Sequence, residues 1–216
     1  MKKIALFAAA ATAVLFAAPA SAQSSFSTFE GDVPGGTPSG PGFVNVGSAS
    51  GWTGGPGGIE LQYNNVAGAP ATNGGSVFVE LDTTGNSYMQ RALAAGNYNL
   101  SFLYSPRPNV GAGSNGIQVS LFNNLTNSFN ILGSFTGNGG ANTAWNTATV
   151  PTFTIGANQF LRFDAIGTSD SLGGYVDNIN IAAVPETATW GMMILGFGVV
   201  GGAMRRRRST ATLATA

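Results

Sequence analysis

Between residues 23 and 184 apolar side chains recur at every second position in short runs. Nowhere in that stretch do they follow the spacing of about 3.6 residues that marks an amphipathic helix. Tyr98, Leu100, Phe102 and Tyr104 fall on one side with Asn99 and Ser101 opposite; Ile117, Val119 and Leu121 repeat the pattern against Gln118 and Ser120. Such alternation belongs to strands with one covered face. Strands are expected near 26–30, 43–47, 59–63, 76–82, 87–93, 97–104, 117–122, 130–135, 145–155, 159–166 and 174–182. Pro-Gly-Gly at 56–58, Thr-Gly-Asn at 84–86 and Ala-Gly-Asn at 95–97 separate them as turns. Segments 31–42 and 53–58 read as Gly-rich surface loops. The expected fold is all-β, two antiparallel sheets packed as a sandwich.

The two ends differ from this middle. Lys2 and Lys3 precede an apolar run from Ile4 to Ala18, and Ala20-Ser21-Ala22 supplies small residues before Gln23. That is the pattern of a Sec signal peptide (1–22), cleaved by signal peptidase after Ala20 and Ala22 have entered its site. At the other end an apolar run from Trp190 to Met204 is followed at once by Arg205, Arg206, Arg207 and Arg208. Tryptophan suits the headgroup level and arginine the cytoplasmic side, so a transmembrane helix is expected over 190–204 with a cytoplasmic tail over 209–216. The run is short for a permanent anchor, which needs roughly 20 residues. The middle, 23–184, is then one exported domain.

Composition narrows its chemistry. The chain has no cysteine and no histidine. Disulfides, thiolate nucleophiles, Ser-His-Asp triads and Cys or His zinc sites are therefore excluded. Residues 23–184 carry three arginines (Arg91, Arg107 and Arg162), no lysine and eight acids, a net charge of −5. Nucleic acid is not an expected partner, because neutralising phosphates takes many cations. Glycosidic chemistry by paired carboxylates is open to Glu60, Glu80, Asp82 and Asp164. No motif pairs them, and Glu80 and Asp82 read as solvated or salt-bridged, so no catalytic residue is assigned and no enzyme is expected.

The tail Pro185-Glu186-Thr187-Ala188-Thr189-Trp190-Gly191, with its apolar helix and arginines, resembles the PEP-CTERM sorting signal of Gram-negative bacteria in its PEPxxWA form. Thr187 and Gly191 depart from the usual proline and alanine. The resemblance covers 185–208 and implies handling by an exosortase in the inner membrane, then delivery to the cell surface, outer envelope or extracellular matrix. Members of that family are often associated with polysaccharide production and biofilm.

A second resemblance spans the middle. SFSTFEGD (25–32), Gly51-Trp52, GGIELQY (57–63), GGSVFVELD (74–82), SYMQRALAAGNYNLSFLYSPR (87–107) and GGYVDNINIAAV (173–184) are similar in order to a galactose-binding-like jelly roll, the fold of many carbohydrate-binding modules. It implies a jelly-roll-like sandwich and extracellular polysaccharide as partner. It also implies a structural Ca²⁺ shared by Glu30 and Asp177, with carbonyls such as that of Thr28. By alternation Asp177 lies in an apolar row with Tyr175, Ile179 and Ile181, where a carboxylate needs a partner. The alternative reading has Asp177 accepting backbone N–H groups and Glu30 solvated.

For a glycan, the candidates are aromatic residues outside the alternating rows and polar groups near them: Trp52 in a Gly-rich loop, Tyr63, Tyr88 and Trp145 near strand ends, and Asn109 and Asn115. Arg107 opens the loop PRPNVGAGSNG and is its only cation. It is read as gripping an acidic or neutral sugar bidentately, or else as pairing with Asp164 or Asp170. The expected function is non-catalytic binding or organisation of exopolysaccharide. The alternatives are a passive matrix protein without a defined ligand and a glycan-active hydrolase.

Overall fold

The computed structural model describes residues 23–69, 75–185 and 187–211. Thirteen strands and one helix follow in chain order: β1 (Ser25–Ser27), β2 (Gly42–Val46), β3 (Ser48–Ala49), β4 (Trp52–Gly54), β5 (Ile59–Tyr63), β6 (Val77–Glu80), β7 (Tyr88–Ala92), β8 (Gly96–Ser105), β9 (Gly116–Asn123), β10 (Ser128–Phe135), β11 (Asn146–Ile155), β12 (Gln159–Ile166), β13 (Tyr175–Val184) and α1 (Thr187–Ala211). One sheet has seven strands in the order β11-β8-β13-β6-β5-β2, with β1 also on β13; the other has six, β10-β9-β12-β7-β4-β3. Most consecutive strands lie in opposite sheets, so the chain crosses repeatedly between layers. The expected antiparallel sandwich is what the chain forms.

Alternation sets which side chains meet between the sheets. Leu61, Val77, Val79, Leu100, Phe102, Val119, Leu121, Leu161, Phe163 and Ile179 are all buried in one core. Phe163 is its hub, edge-on to Trp52 at 5.3 Å and to Phe102 at 5.1 Å. Burying side chains of this size contributes about 1.5–3 kcal/mol each, which a domain without disulfides depends on.

Two departures from the sequence reading have physical causes. First, Trp52–Gly54 form the three-residue strand β4, paired with β3, where a Gly-rich loop was expected. The glycines there serve close packing: a Cβ on Gly55 would stand 2.7 Å from the Tyr88 ring. Second, β13 is not one continuous alternation. Its register against β8 shifts between Asp177 and Asn180, and Asn178 has φ +49°. The extra residue reverses the phase. Val176, Ile179 and Ile181 enter the main core, whereas Tyr175 packs in a separate cluster with Phe78 and Ala69 on the sheet's outer side. The expected row Tyr175-Asp177-Ile179-Ile181 is therefore broken after Asp177. Strand β11, expected over 145–155, accommodates Pro151 where its register against β8 shifts, on a sheet edge where the missing N–H costs no ladder bond.

Helix α1 carries Met192, Ile194, Leu195, Phe197 and Val199 exposed. Among the described residues no helix is long and apolar enough to cross a membrane. The expected segment 190–204 lies within helix α1. Pro185 and Arg205 are exposed. Ala20 and Ala22 of the cleavage site and Glu186 of the sorting box lie outside the described residues.

Candidate functional site

On β5, Ile59 and Leu61 point to the core, which turns Glu60 and Gln62 to the outer side of the seven-stranded sheet. On β6, Val77 and Val79 are core residues, which turns Phe78 and Glu80 outward beside them. Antiparallel register sets Glu60 directly opposite Glu80, and Glu80 opposite Tyr175 of β13. The row is outward but not wet. Gln62 is 1 % exposed, Glu60 8 %, and Glu80 and Tyr175 wholly enclosed.

Two glutamates facing each other across a strand pair repel unless something bridges them. Gln62 is that bridge: its Nε2 donates to Glu60 Oε1 at 2.8 Å and also to Glu80 Oε2. Arg107 supplies the counter-charge, with Nη1 2.8 Å from Glu80 Oε2 and donating also to the Ser171 carbonyl at 3.2 Å. The other Glu80 oxygen accepts the Gly173 N–H at 2.5 Å. A Cβ on Gly173 would lie 2.9 Å from the Asp82 Cβ, so glycine lets this strand entry approach the carboxylates. Asp82 Oδ2 accepts the N–H groups of Asp170 and Leu172 at 2.9 and 3.3 Å. Of the expectation that Glu80 and Asp82 are solvated or salt-bridged, the salt bridge holds for Glu80, while solvation holds for neither. Both are buried, and both tie down the chain at 170–173.

Burial outweighs the nearby guanidinium. It pushes the Glu80 carboxyl up to about 8, with Arg107 opposing and Glu60 reinforcing the shift. Glu60 is raised too, by burial first, with Asp82 adding to it and Gln62 and Arg107 opposing. Tyr175 is raised by burial, and its hydroxyl has no hydrogen-bond partner among the described residues. Above this row lies a cavity of about 320 Å³ lined by Phe43, Asn45, Glu60, Gln62, Val66, Ala67, Thr83, Thr84, Arg107 and Ser171. Phe43 is 60 % exposed at its rim. Along the same face Trp145 stacks edge-on to Phe78 at 5.6 Å and lies 6.4 Å from Tyr175.

Of the residues singled out from sequence, Arg107 lies in the cavity wall and Trp145 beside it on the same face. Arg107 pairs with Glu80, not with Asp164 or Asp170. Asp164 is taken by Arg162 at 2.6 Å, and Asp170 accepts the Ser114 hydroxyl at 2.8 Å. Trp52 is corrected from ligand candidate to core residue. It is 0 % exposed, and its indole N–H donates to Ser27 Oγ at 3.2 Å. Asn115 is corrected as well: it is fully buried and shapes a loop. Its Oδ1 accepts the Arg107 backbone N–H at 2.8 Å while its Nδ2 donates to the carbonyls of Val110 and Gly111. It positions Arg107 without reaching a ligand. Tyr63 packs against the main core, and Tyr88 lies under Arg162 on the opposite sheet.

Glu30 and Asp177 each accept a backbone N–H, from Val77 at 2.8 Å and Asn178 at 2.7 Å. Ser27 pairs with Ile179, which brings the Thr28–Glu30 segment toward the bulged part of β13. No three acidic side chains converge on a metal-sized site among the described residues. Calcium takes about six to eight oxygen ligands. The two carboxylates have the right chemistry but would leave most of the shell to carbonyls such as that of Thr28.

Sequence reading missed Gln62, and left Glu60 without its partner Glu80, because a polar residue alternating with core residues ordinarily faces water. The available signal was Phe78: a large aromatic two positions from Glu80 needs cover, so the outer face had to be shielded there.

No protein-family model matches the chain, and no curated protein matches it significantly. Solved structures similar to it include the K2 cleaved adhesin domain of Lys-gingipain (17% identity, TM-score 0.48, covering 74% of this chain and 98% of that one). Others are a xylan-binding domain from CBM 22 (18%, 0.47, 77% and 97%) and a family 35 carbohydrate binding module from Clostridium thermocellum (19%, 0.40, 68% and 100%).

Proposed function

We propose that this chain binds extracellular polysaccharide without cleaving it, through the cavity over Glu60, Gln62 and Arg107. The observation that carries the reading is a recess lined by amide, hydroxyl and carboxylate groups with Phe43 at its rim. Sugars present hydroxyl donors and acceptors around apolar ring faces, and such a recess answers both. Glycosidic cleavage needs a carboxylate open to the substrate. Glu80 is fully enclosed with both oxygens already engaged, which supports a binder over a hydrolase. Titrating the full chain with a panel of soluble polysaccharides tests this. Saturable binding to at least one is expected; non-saturable retention by all would favour a passive matrix role and overturn the reading.

Export and sorting belong to the same proposal. The terminal segments read as addresses, Sec-directed at 1–22 and exosortase-directed at Pro185, Glu186, Trp190 and Arg205–Arg208. Intact-mass analysis of protein recovered outside a Gram-negative host with an exosortase should find an N-terminus at Gln23 and no arginine cluster. An uncut chain in the cytoplasm would contradict it. A structural Ca²⁺ at Glu30 and Asp177 completes the proposal as a stabiliser, with no part in binding sugar.

A further inference from the structure

Resting on the polysaccharide reading, we infer that the cavity selects a saccharide bearing a free amine over its N-acetylated, neutral or carboxylated counterparts. The inference comes from counting donors against acceptors at the cavity floor. Three carboxylates, Glu60, Glu80 and Asp82, stand around one guanidinium, that of Arg107. Arg107 already spends Nη1 on Glu80 and on the Ser171 carbonyl. A sugar carboxylate entering here meets further acceptor oxygens and an arginine already engaged.

Gln62 adds an independent sign of what is missing. Its amide nitrogen faces the two glutamates and donates to both. Its Oε1 is thereby turned away from them, and this buried oxygen has no partner among the described residues. The residue is 1 % exposed and lines the cavity. A buried acceptor left unmatched is costly. The group that suits a recess rich in acceptors is one with several donors, a positive charge and no acceptor. An ammonium has three donors and no acceptor. It would bond Glu60 with charge assistance and offer a second N–H to Gln62 Oε1, contacts roughly twice as strong as neutral ones. N-acetylation removes the charge and adds a carbonyl acceptor where acceptors are already in excess. The raised carboxyls of Glu60 and Glu80 agree, because a cation arriving beside them favours their ionised forms and binding then releases protons.

Titration calorimetry of the full chain with a chitosan oligosaccharide and with its fully N-acetylated counterpart of equal length tests this. The free amine is expected to bind about tenfold more tightly. That ratio should shrink towards one in about 1 M salt, where charge interactions are screened. Glu60→Gln, which keeps the shape and the bridge to Gln62, should remove most of the preference. If that variant fails to fold, the salt series on the unaltered chain still decides. Equal or tighter binding of the acetylated sugar would overturn the inference. If a neutral or uronic-acid polysaccharide binds saturably and neither chitosan form does, the inference falls while the polysaccharide reading stands. Binding to no saccharide would remove both.

Discussion

The sandwich has two outward faces, and each is built around an arginine. On the six-stranded sheet Arg162 pairs with Asp164 through Nη2 and Nε at 2.6 and 2.7 Å. Its guanidinium lies 3.4 Å over the Tyr88 ring and 5.1 Å from those of Phe122 and Phe129. One cation has one acid and three aromatic faces. Charge is matched one to one there and the flat sides of the guanidinium are covered, while Asp164 Oδ2 and Gln90 Oε1 beside it are buried without a partner among the described residues. On the seven-stranded sheet Arg107 faces more carboxyl groups than it pairs with, with a recess above them and a buried amide oxygen unmatched. The same residue type thus meets one acid and three rings on one side and a cluster of carboxyl groups under a recess on the other. The difference lies in what the neighbouring strands present: aromatic residues and one aspartate at Arg162, and two opposed glutamates at Arg107.

Removing each arginine gives the largest effect and the sharpest contrast. Arg107→Met leaves Glu80 enclosed without a counter-charge and should cost about 3 kcal/mol near pH 8, as breaking a buried pair does. Arg162→Met loses a half-buried pair and its ring contacts, about 1–2 kcal/mol. Urea midpoints of the two variants measure this, and equal losses would erase the distinction between the faces.

The pH dependence comes next. The Glu80 carboxyl is held near 8 in the fold against an ordinary value of 4.5. Between those limits the folded chain retains a proton that the unfolded chain has released. Stability from this group is therefore fully present below about pH 4.5 and lost as pH rises towards 8. Glu60 and Asp164, both raised by burial, act in the same direction. Melting temperatures at pH 5, 6.5 and 8 should decline in that order, and Glu80→Gln should flatten the series. A maximum at pH 8 would show that Arg107 outweighs burial and holds the Glu80 carboxyl ionised. The smallest effect expected is that of EDTA, a drop of a few degrees in melting temperature at constant pH if Glu30 and Asp177 hold calcium. No change would dismiss the ion and leave both faces as described.

Much of the fold was legible because period-two alternation is a local property. Strands such as 97–104 and 159–166 lie within a residue or two of their expected bounds. What escaped was decided at a distance. Trp52 looked available in a Gly-rich stretch, yet the glycines allow tight packing and Phe163, far along the chain, covers it. The bulge at Asn178 changed the side on which Ile179 and Ile181 fall, and no neighbouring residue signals it. Arg107 was visible as the only cation in its loop. Its partner Glu80 was not, because register, not spacing, brings Glu60, Glu80 and Tyr175 into one row.

The most direct test of the account is a titration followed by side-chain NMR, using the tightest-binding oligosaccharide and the full chain. The Gln62 amide and the Arg107 guanidinium signals should shift saturably with ligand, while the Arg162 guanidinium stays unmoved. Saturable shifts at Arg162 with none at Gln62 or Arg107 would contradict it.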